Sequence, residues 1–307
     1  MTSYRILTYR SKTGPRGGVL VDDTVYDLQA LSGQYMTTKE LFEDWANASP
    51  IVKESVSNLY STPIESVGKL RDVKLLAPIL YPRAVFCVTA NYVDHAREMG
   101  GEPADKSAAD PFFFTKAPEH TIIGPGDPIV LPHWCNFLDW EAELAAVIGM
   151  RCRDVSAESA LDYVAGYTIL HDLSARDRFR RDDWPRWPMD WFGHKNFDGS
   201  APLGPWVTPA SEVPDPQDLA IQLWVNDEVQ QDSSTSQMIF NISEQIEYLS
   251  QQITLLPGDV IATGTPAGVG MPRGRSLKPG DSVRIEIEGL GYLKNDVVQG
   301  TQGMSPE

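Results

Sequence analysis

Cysteine is scarce, with three in 307 residues, and Cys87, Cys135 and Cys152 have no CxxC spacing. So few, so placed, exclude a disulfide framework or a zinc ribbon and are expected to be reduced, mostly core residues. Positive charge is also short: 26 Lys and Arg face 42 Asp and Glu, giving a net charge of −16 and a pI near 4.7. A phosphate backbone is repelled by such a surface, so nucleic acid is not an expected partner. No apolar run approaches the roughly 20 residues that cross a bilayer, and Met1 to Arg5 lead into alternating polar and apolar residues without a signal-peptide core. The expectation is a cytoplasmic protein with no membrane partner.

The chain is 42% hydrophobic and 22% charged, an ordinary globular balance, and is long enough for one large domain with an appendage. Two short β-like runs, Ile6–Tyr9 and Gly18–Val21, open a small N-terminal module, and a polar stretch from Thr38 to about Tyr60 reads as helix. The Pro-punctuated segment from Leu75 to Pro82 marks a boundary near residue 76. The expected division is 1–76, a catalytic unit over 77–300 and a tail over 301–307. In the body, strand signals dominate: Ala84–Val88, Ile129–Leu131, Glu143–Ile148, Tyr163–Leu170, Ala220–Val225, Val260–Thr263 and the alternating Val283–Ile287. Ile242, Ile246, Leu249 and Ile253 fall at helical spacing behind Asn241 or Ser243 as cap, and a second helix is expected from Ser156 to about Ala165, stopped by Gly166. Strands with only occasional helices indicate a strand-rich α+β or rolled β architecture.

The sharpest local feature is Asp139-Trp140-Glu141-Ala142-Glu143, acids at every second position entering an apolar strand, which predicts one shared face. If that face is buried, the like charges need a cation or protons; a solvated acidic edge strand is the plain alternative. Asp172 ends a second apolar strand right after His171. Two Glu and one Asp suit a hard divalent ion and leave coordination positions for substrate and water. His171 is a further possible ligand, although a His beside a strand is more often structural.

Five motifs occur in order: Asn91-Tyr92-x-x-His95-Ala96-x-Glu98; Asp139-x-Glu141-x-Glu143-Leu144; Asp172-Leu173-Ser174-Ala175-Arg176-Asp177; Lys195-Asn196-Phe197-Asp198-Gly199, with Pro202 to Pro205 beyond; and Thr263-Gly264-Thr265-Pro266-Ala267-Gly268-Val269-Gly270. Together they resemble the fumarylacetoacetate hydrolase superfamily from about residue 80 to the strand near Val297. The resemblance implies a mixed β-roll catalytic domain, usually in a homodimer, with Glu141, Glu143 and Asp172 as ligands of Mg²⁺ or Mn²⁺. It also implies a His95–Glu98 dyad on a lid, Lys195 beside the substrate, Arg176 near the metal shell, and Thr265 holding a substrate oxygen.

The expected activity is hydrolysis of a C–C bond in an acylpyruvate-like or related 1,3-dicarbonyl or 2-oxo acid, with Glu98 taking a proton from water and Lys195 stabilising the oxyanion. Decarboxylation or enol/keto isomerisation of an oxaloacetate- or hydroxymuconate-type acid uses the same site and is the alternative; a silent oxo-acid-binding protein is a third reading. One departure bears on substrate. Where the family often has Gln, three residues after Arg176, this chain has Phe179, and the segment 178–194 carries Trp184, Trp187 and Trp191 with Arg180, Arg181, Pro185 and Pro188. Either Phe179, Trp184 and Trp191 form a pocket rim or dimer contact suited to a bulkier substrate of aromatic catabolism, or they are structural packing.

Overall fold

Strands that are apolar on both faces make the centre of the protein. In the computed structural model, which describes residues 2–302, Ala142–Ile148 and Val164–His171 are buried at every position. Such strands must be covered on both sides. They pair antiparallel, Ala142 opposite His171, and the large sheet continues through Ala201–Pro209 on one side and through Val260–Ala262, Val85–Val88 and Phe113–Lys116 on the other. A five-stranded sheet runs in the order Glu228–Ser234, Ala220–Val225, Ser282–Ile287, Gly291–Gln299, Ile129–Leu131. Leu144, Ala146 and Ile169 share one core with its Ile221, Leu223 and Ile285 and with Ile246 of the helix Ile242–Gln252. The alternate face, Ala145 and Val147, packs into a second core with Ile6, Leu28, Phe42 and Val52. The fold is strand-rich α+β.

The N-terminal strands extend the large sheet, because Tyr4–Ser11 pairs both with Gly14–Val21 and, at Ile6 opposite Val207, with Ala201–Pro209. The stretch expected as one helix from Thr38 to about Tyr60 is two, Thr38–Glu43 and Trp45–Asn58. The break falls at Asp44, whose carboxylate accepts hydrogen bonds from Tyr35 Oη (2.6 Å) and Asn47 Nδ2 (2.7 Å), a local use of an Asp that competes with continuous helix.

The helix expected from Ser156 to Ala165 is not formed. A 3-10 turn, Ala160–Tyr163, leads straight into the strand at Val164. Gly166 is not a helix stop: a Cβ there would lie 2.2 Å from the Thr208 carbonyl oxygen, so its role is close approach to the neighbouring strand. The helix Ile242–Gln252 forms, with Asn241 as cap in a reciprocal capping box with Glu244, but Ile253, expected on its apolar face, is the extended residue after its end and is exposed. Asn226-Asp227 makes the tight turn between paired strands. Of the expected tail over 301–307, residues 303–307 lie outside the described residues. Among the described residues no helix is long and apolar enough to cross a membrane.

Candidate functional site

Strand pairing brings the acids together. Glu143 lies one residue into Ala142–Ile148, Asp172 follows the last residue of Val164–His171, and the Asp172 N–H donates to the Glu141 carbonyl over 2.9 Å. Glu141, Glu143 and Asp172 are all buried, and each offers a carboxylate oxygen within 4.8 Å of the others. Asp139 departs from the expected shared face. The strand is interrupted at 140–141, and the Asp139 carboxylate instead accepts from the backbone N–H of Gly270 (2.6 Å) and Met271 (3.1 Å). It pins that turn and does not join the triad.

Three cations answer these acids. Lys195 Nζ lies 2.7 Å from Glu141 Oε2 and 2.6 Å from Asp172 Oδ2. Lys116 Nζ lies 2.6 Å from Asp172 Oδ1, and Arg176 bridges Asp139 Oδ2 (2.8 Å) and Glu141 Oε1 (2.6 Å). Burial opposes the Lys195 charge, yet Asp172 and Glu141 hold its pKa above the ordinary lysine value. Burial likewise works against ionised Asp172, but Lys116 and Lys195 overcome it and hold the carboxyl below the usual range.

Four carboxylates against three cations leave one buried negative charge over, and Glu143 carries the imbalance. Its carboxylate accepts the Gly264 N–H (2.8 Å) but has no cation beside it, and burial, then Asp172 and Glu141, push its pKa well above the carboxylate range. Gly264 can present that N–H because its φ is +94°, a conformation glycine adopts without strain. A buried, oxygen-only donor set with surplus negative charge fits a hard divalent cation. His171 is not part of the set; burial lowers its pKa to about 3, so it is a neutral core residue.

The other expected residues surround this floor unequally. His95 and Glu98 lie on the short helix Val93–Glu98, above a cavity of about 210 Å³. Asn91 roots that helix, donating to the Phe240 and Thr263 carbonyls at 2.9 Å each. His95 lines the cavity, with Nδ1 3.7 Å from Glu98 Oε2, beyond hydrogen-bond range. Glu98 Oε2 accepts the Gly268 N–H (2.8 Å), and Oε1 faces Arg273 at 3.5 Å. Burial would raise the Glu98 pKa, but His95, Gly268 and Arg273 outweigh it and hold the carboxylate below its ordinary range.

Thr265 reaches the cavity, but its hydroxyl donates to the Ala142 carbonyl and accepts from Gln231 Nε2, both at 2.9 Å. That hydroxyl proton holds the strand, not a free acceptor. Phe179 and Trp191 line the cavity, whereas Trp184 is 57% exposed and stands away from it.

Three residues escaped the sequence reading. Lys116 carries no motif and ends an aromatic strand, Phe113–Lys116. Gln231, fully buried, ties Thr265 and Pro266 to the Ala142 N–H. His194 lines the cavity, fully buried, with neither ring nitrogen hydrogen-bonded.

Comparison with known proteins gives a family and a fold. Residues 84–298 match the family model described as fumarylacetoacetate (FAA) hydrolase C-terminal. The chain is 44% identical over 229 residues to the human oxaloacetate tautomerase FAHD2B, mitochondrial, covering 74% of this chain and 70% of that one. It is similar to the crystal structure of maleylpyruvate hydrolase from Sphingobium sp. SYK-6 in complex with manganese(II) and pyruvate, with TM-score 0.77, 32% identity, 96% of this chain and 100% of that one. It is also similar to a 5-carboxymethyl-2-hydroxymuconate delta-isomerase from Mycobacterium smegmatis, with TM-score 0.73, 34% identity and coverage of 96% and 100%.

Proposed function

The chain belongs to the fumarylacetoacetate hydrolase family, and within that family of enzymes we propose that it is a metal-dependent keto–enol isomerase of a small 2-oxo acid. The observation that carries this reading is the buried triad of Glu141, Glu143 and Asp172, with its one unbalanced negative charge, lying against the Lys195 ammonium. Those three carboxylates would hold Mg²⁺ or Mn²⁺, which when bound supplies Lewis-acid polarisation of a 2-oxo group. A divalent ion turns the surplus of one negative charge into one positive, so a singly charged oxo acid completes the balance.

The chain's own residues supply the remainder. Lys195, fixed by two carboxylates, presents its ammonium where negative charge develops on a substrate oxygen and needs no reorganisation to do so. Arg176, held by Asp139, fixes Glu141 in place. His95 lines the cavity, with its buried Nδ1 on the Glu98 side, and its imidazole is the group that takes a proton from the carbon next to the oxo group and returns it to the enolate oxygen. Glu98, 3.7 Å from that nitrogen, stabilises the imidazolium meanwhile.

Isomerisation needs one proton carrier, and His95 suffices. The second reading, C–C hydrolysis, asks Glu98 or His95 to activate water; it is favoured by their common helix and by the likeness to a maleylpyruvate hydrolase. It is ranked second because Gly268 and Arg273 already engage the Glu98 carboxylate and make it a weak base. A homodimer, a catalytic unit over 77–300 behind a module over 1–76, and a cytoplasmic location belong to the same proposal, although the human relative is named as mitochondrial.

The test is ultraviolet turnover of oxaloacetate and an acylpyruvate with Mg²⁺ or Mn²⁺, repeated in excess EDTA, with products identified by mass. EDTA-sensitive conversion at unchanged mass supports isomerisation. Two fragments support hydrolysis, and loss of CO₂ supports decarboxylation.

A further inference from the structure

One wall of the cavity is aromatic and meets the charged floor at Lys195. The Lys195 ammonium lies 5.3 Å from the centre of the Phe114 ring. Phe114 stacks on Trp191 at 5.1 Å, Phe179 stands edge-on to Trp191 at 5.6 Å, and the His194 ring stands edge-on to Phe179 at 4.7 Å. His194 is fully buried, and burial, reinforced by Lys195 and Arg176, keeps its ring uncharged. The lysine and arginine of the lining, Lys195 and Arg176, are each already bonded to two carboxylates. A substrate reaching from the metal-binding carboxylates along this wall meets flat apolar rings and a neutral imidazole, and among the described residues no lysine or arginine beyond those two lines the cavity to meet a second carboxylate.

Resting on the isomerase reading of the same site, we infer that the substrate is a 2-oxo acid with a planar apolar substituent, and that Phe179, Trp191 and Phe114 form the subsite selecting it over a dicarboxylic acid. Rings of this kind offer offset and edge-on contacts to a planar group, while a carboxylate placed there is desolvated without a partner. Phe179 is the position that sets the preference, since it supplies an aromatic edge where an amide would supply a hydrogen bond. The cavity, at about 210 Å³, has room for one such ring beside the oxo acid.

Phenylpyruvate and oxaloacetate are the probes, each assayed for keto–enol conversion with Mn²⁺ and with EDTA. The expected result is kcat/KM at least about tenfold higher for phenylpyruvate, in the range apolar pockets achieve, with Phe179→Gln lowering that ratio about tenfold. Trp191→Phe, which keeps a ring, retains the preference. Quenching of tryptophan fluorescence measures binding separately, with phenylpyruvate expected to saturate at a concentration about tenfold below oxaloacetate. EDTA-sensitive turnover without that preference overturns the inference and leaves the isomerase reading intact. Absent turnover with selective phenylpyruvate binding supports the subsite and counts against the reaction. Absent turnover with unselective binding overturns both.

Discussion

Lys116 donates to Asp172 Oδ1 over 2.6 Å, and neither side chain is more than 1% exposed. Asp172, like Glu141, therefore has a cation on each of its oxygens, here two lysines. A buried charge left without its partner is costly, so Lys116→Met is expected to destabilise the protein by about 3 kcal/mol, toward the lower end of such losses because Lys195 remains. Thermal unfolding of the metal-free protein checks this. An unchanged melting temperature would mean that the pair contributes nothing.

Glu143 should behave in the opposite sense. Glu143→Gln is expected to stabilise the metal-free protein by about 1–2 kcal/mol, because a carboxyl whose ionisation is opposed by burial and by Asp172 and Glu141 is replaced by a neutral amide that still accepts from Gly264. The same substitution should abolish stabilisation by Mn²⁺, which in the unsubstituted protein reaches about 2.7 kcal/mol at a hundred times Kd. Scanning fluorimetry with Mn²⁺ and with EDTA reads both effects.

Asp259 gives a pH dependence away from the site. Burial raises its pKa to about 6, against the opposing Leu256 N–H, and its Oδ1 is buried without a hydrogen bond. The folded value exceeds the unfolded one of about 3.9, so stability is unaffected below about pH 4 and is lost as pH rises through about 6. Asp259→Asn is therefore expected to raise stability by about 1–2 kcal/mol at pH 7.5 and to change nothing at pH 4. Urea unfolding at the two values checks the sign.

Gly264 joins the buried carboxylates to the segment that precedes the helix Val93–Glu98, through Glu143 on one side and Asn91 on the other. With φ at +94°, and with an added Cβ 2.9 Å from the Asn91 Cβ, Gly264→Ala is expected to cost about 1–3 kcal/mol. It should also weaken Mn²⁺ binding through the Glu143 contact. Melting temperature and Mn²⁺ titration separate the two losses.

Much of this was legible in the residues. The alternation of Val283–Ile287 and the spacing of Ile242, Ile246 and Leu249 mark burial directly, because a side chain's face follows from its place in the period. The Glu141, Glu143 and Asp172 set was legible because acids entering apolar strands need an explanation beyond solvation. The long-range partners were not: Lys116 reaches Asp172 across 56 residues and Gln231 reaches Ala142 across 89, and no local pattern records such a contact. Asp139 misled because a regular strand was extended through 139–143, whereas tertiary bonds from Gly270, Met271 and Arg176 turn its carboxylate elsewhere. Trp184 belongs to an exposed hairpin, where Arg181 N bonds the Pro188 carbonyl at 2.7 Å, and only its neighbour Trp191 folds back to the cavity.

The most direct measurement is hydrogen exchange at the carbon beside the oxo group, followed by NMR for oxaloacetate and phenylpyruvate in D₂O with Mg²⁺-loaded protein. Enolate formation predicts deuterium incorporation faster than in protein-free controls with the same metal, at unchanged carbon skeleton, abolished by EDTA and lowered at least about a hundredfold in His95→Ala. Exchange no faster than those controls for either acid, or exchange unaffected by EDTA, would contradict the account.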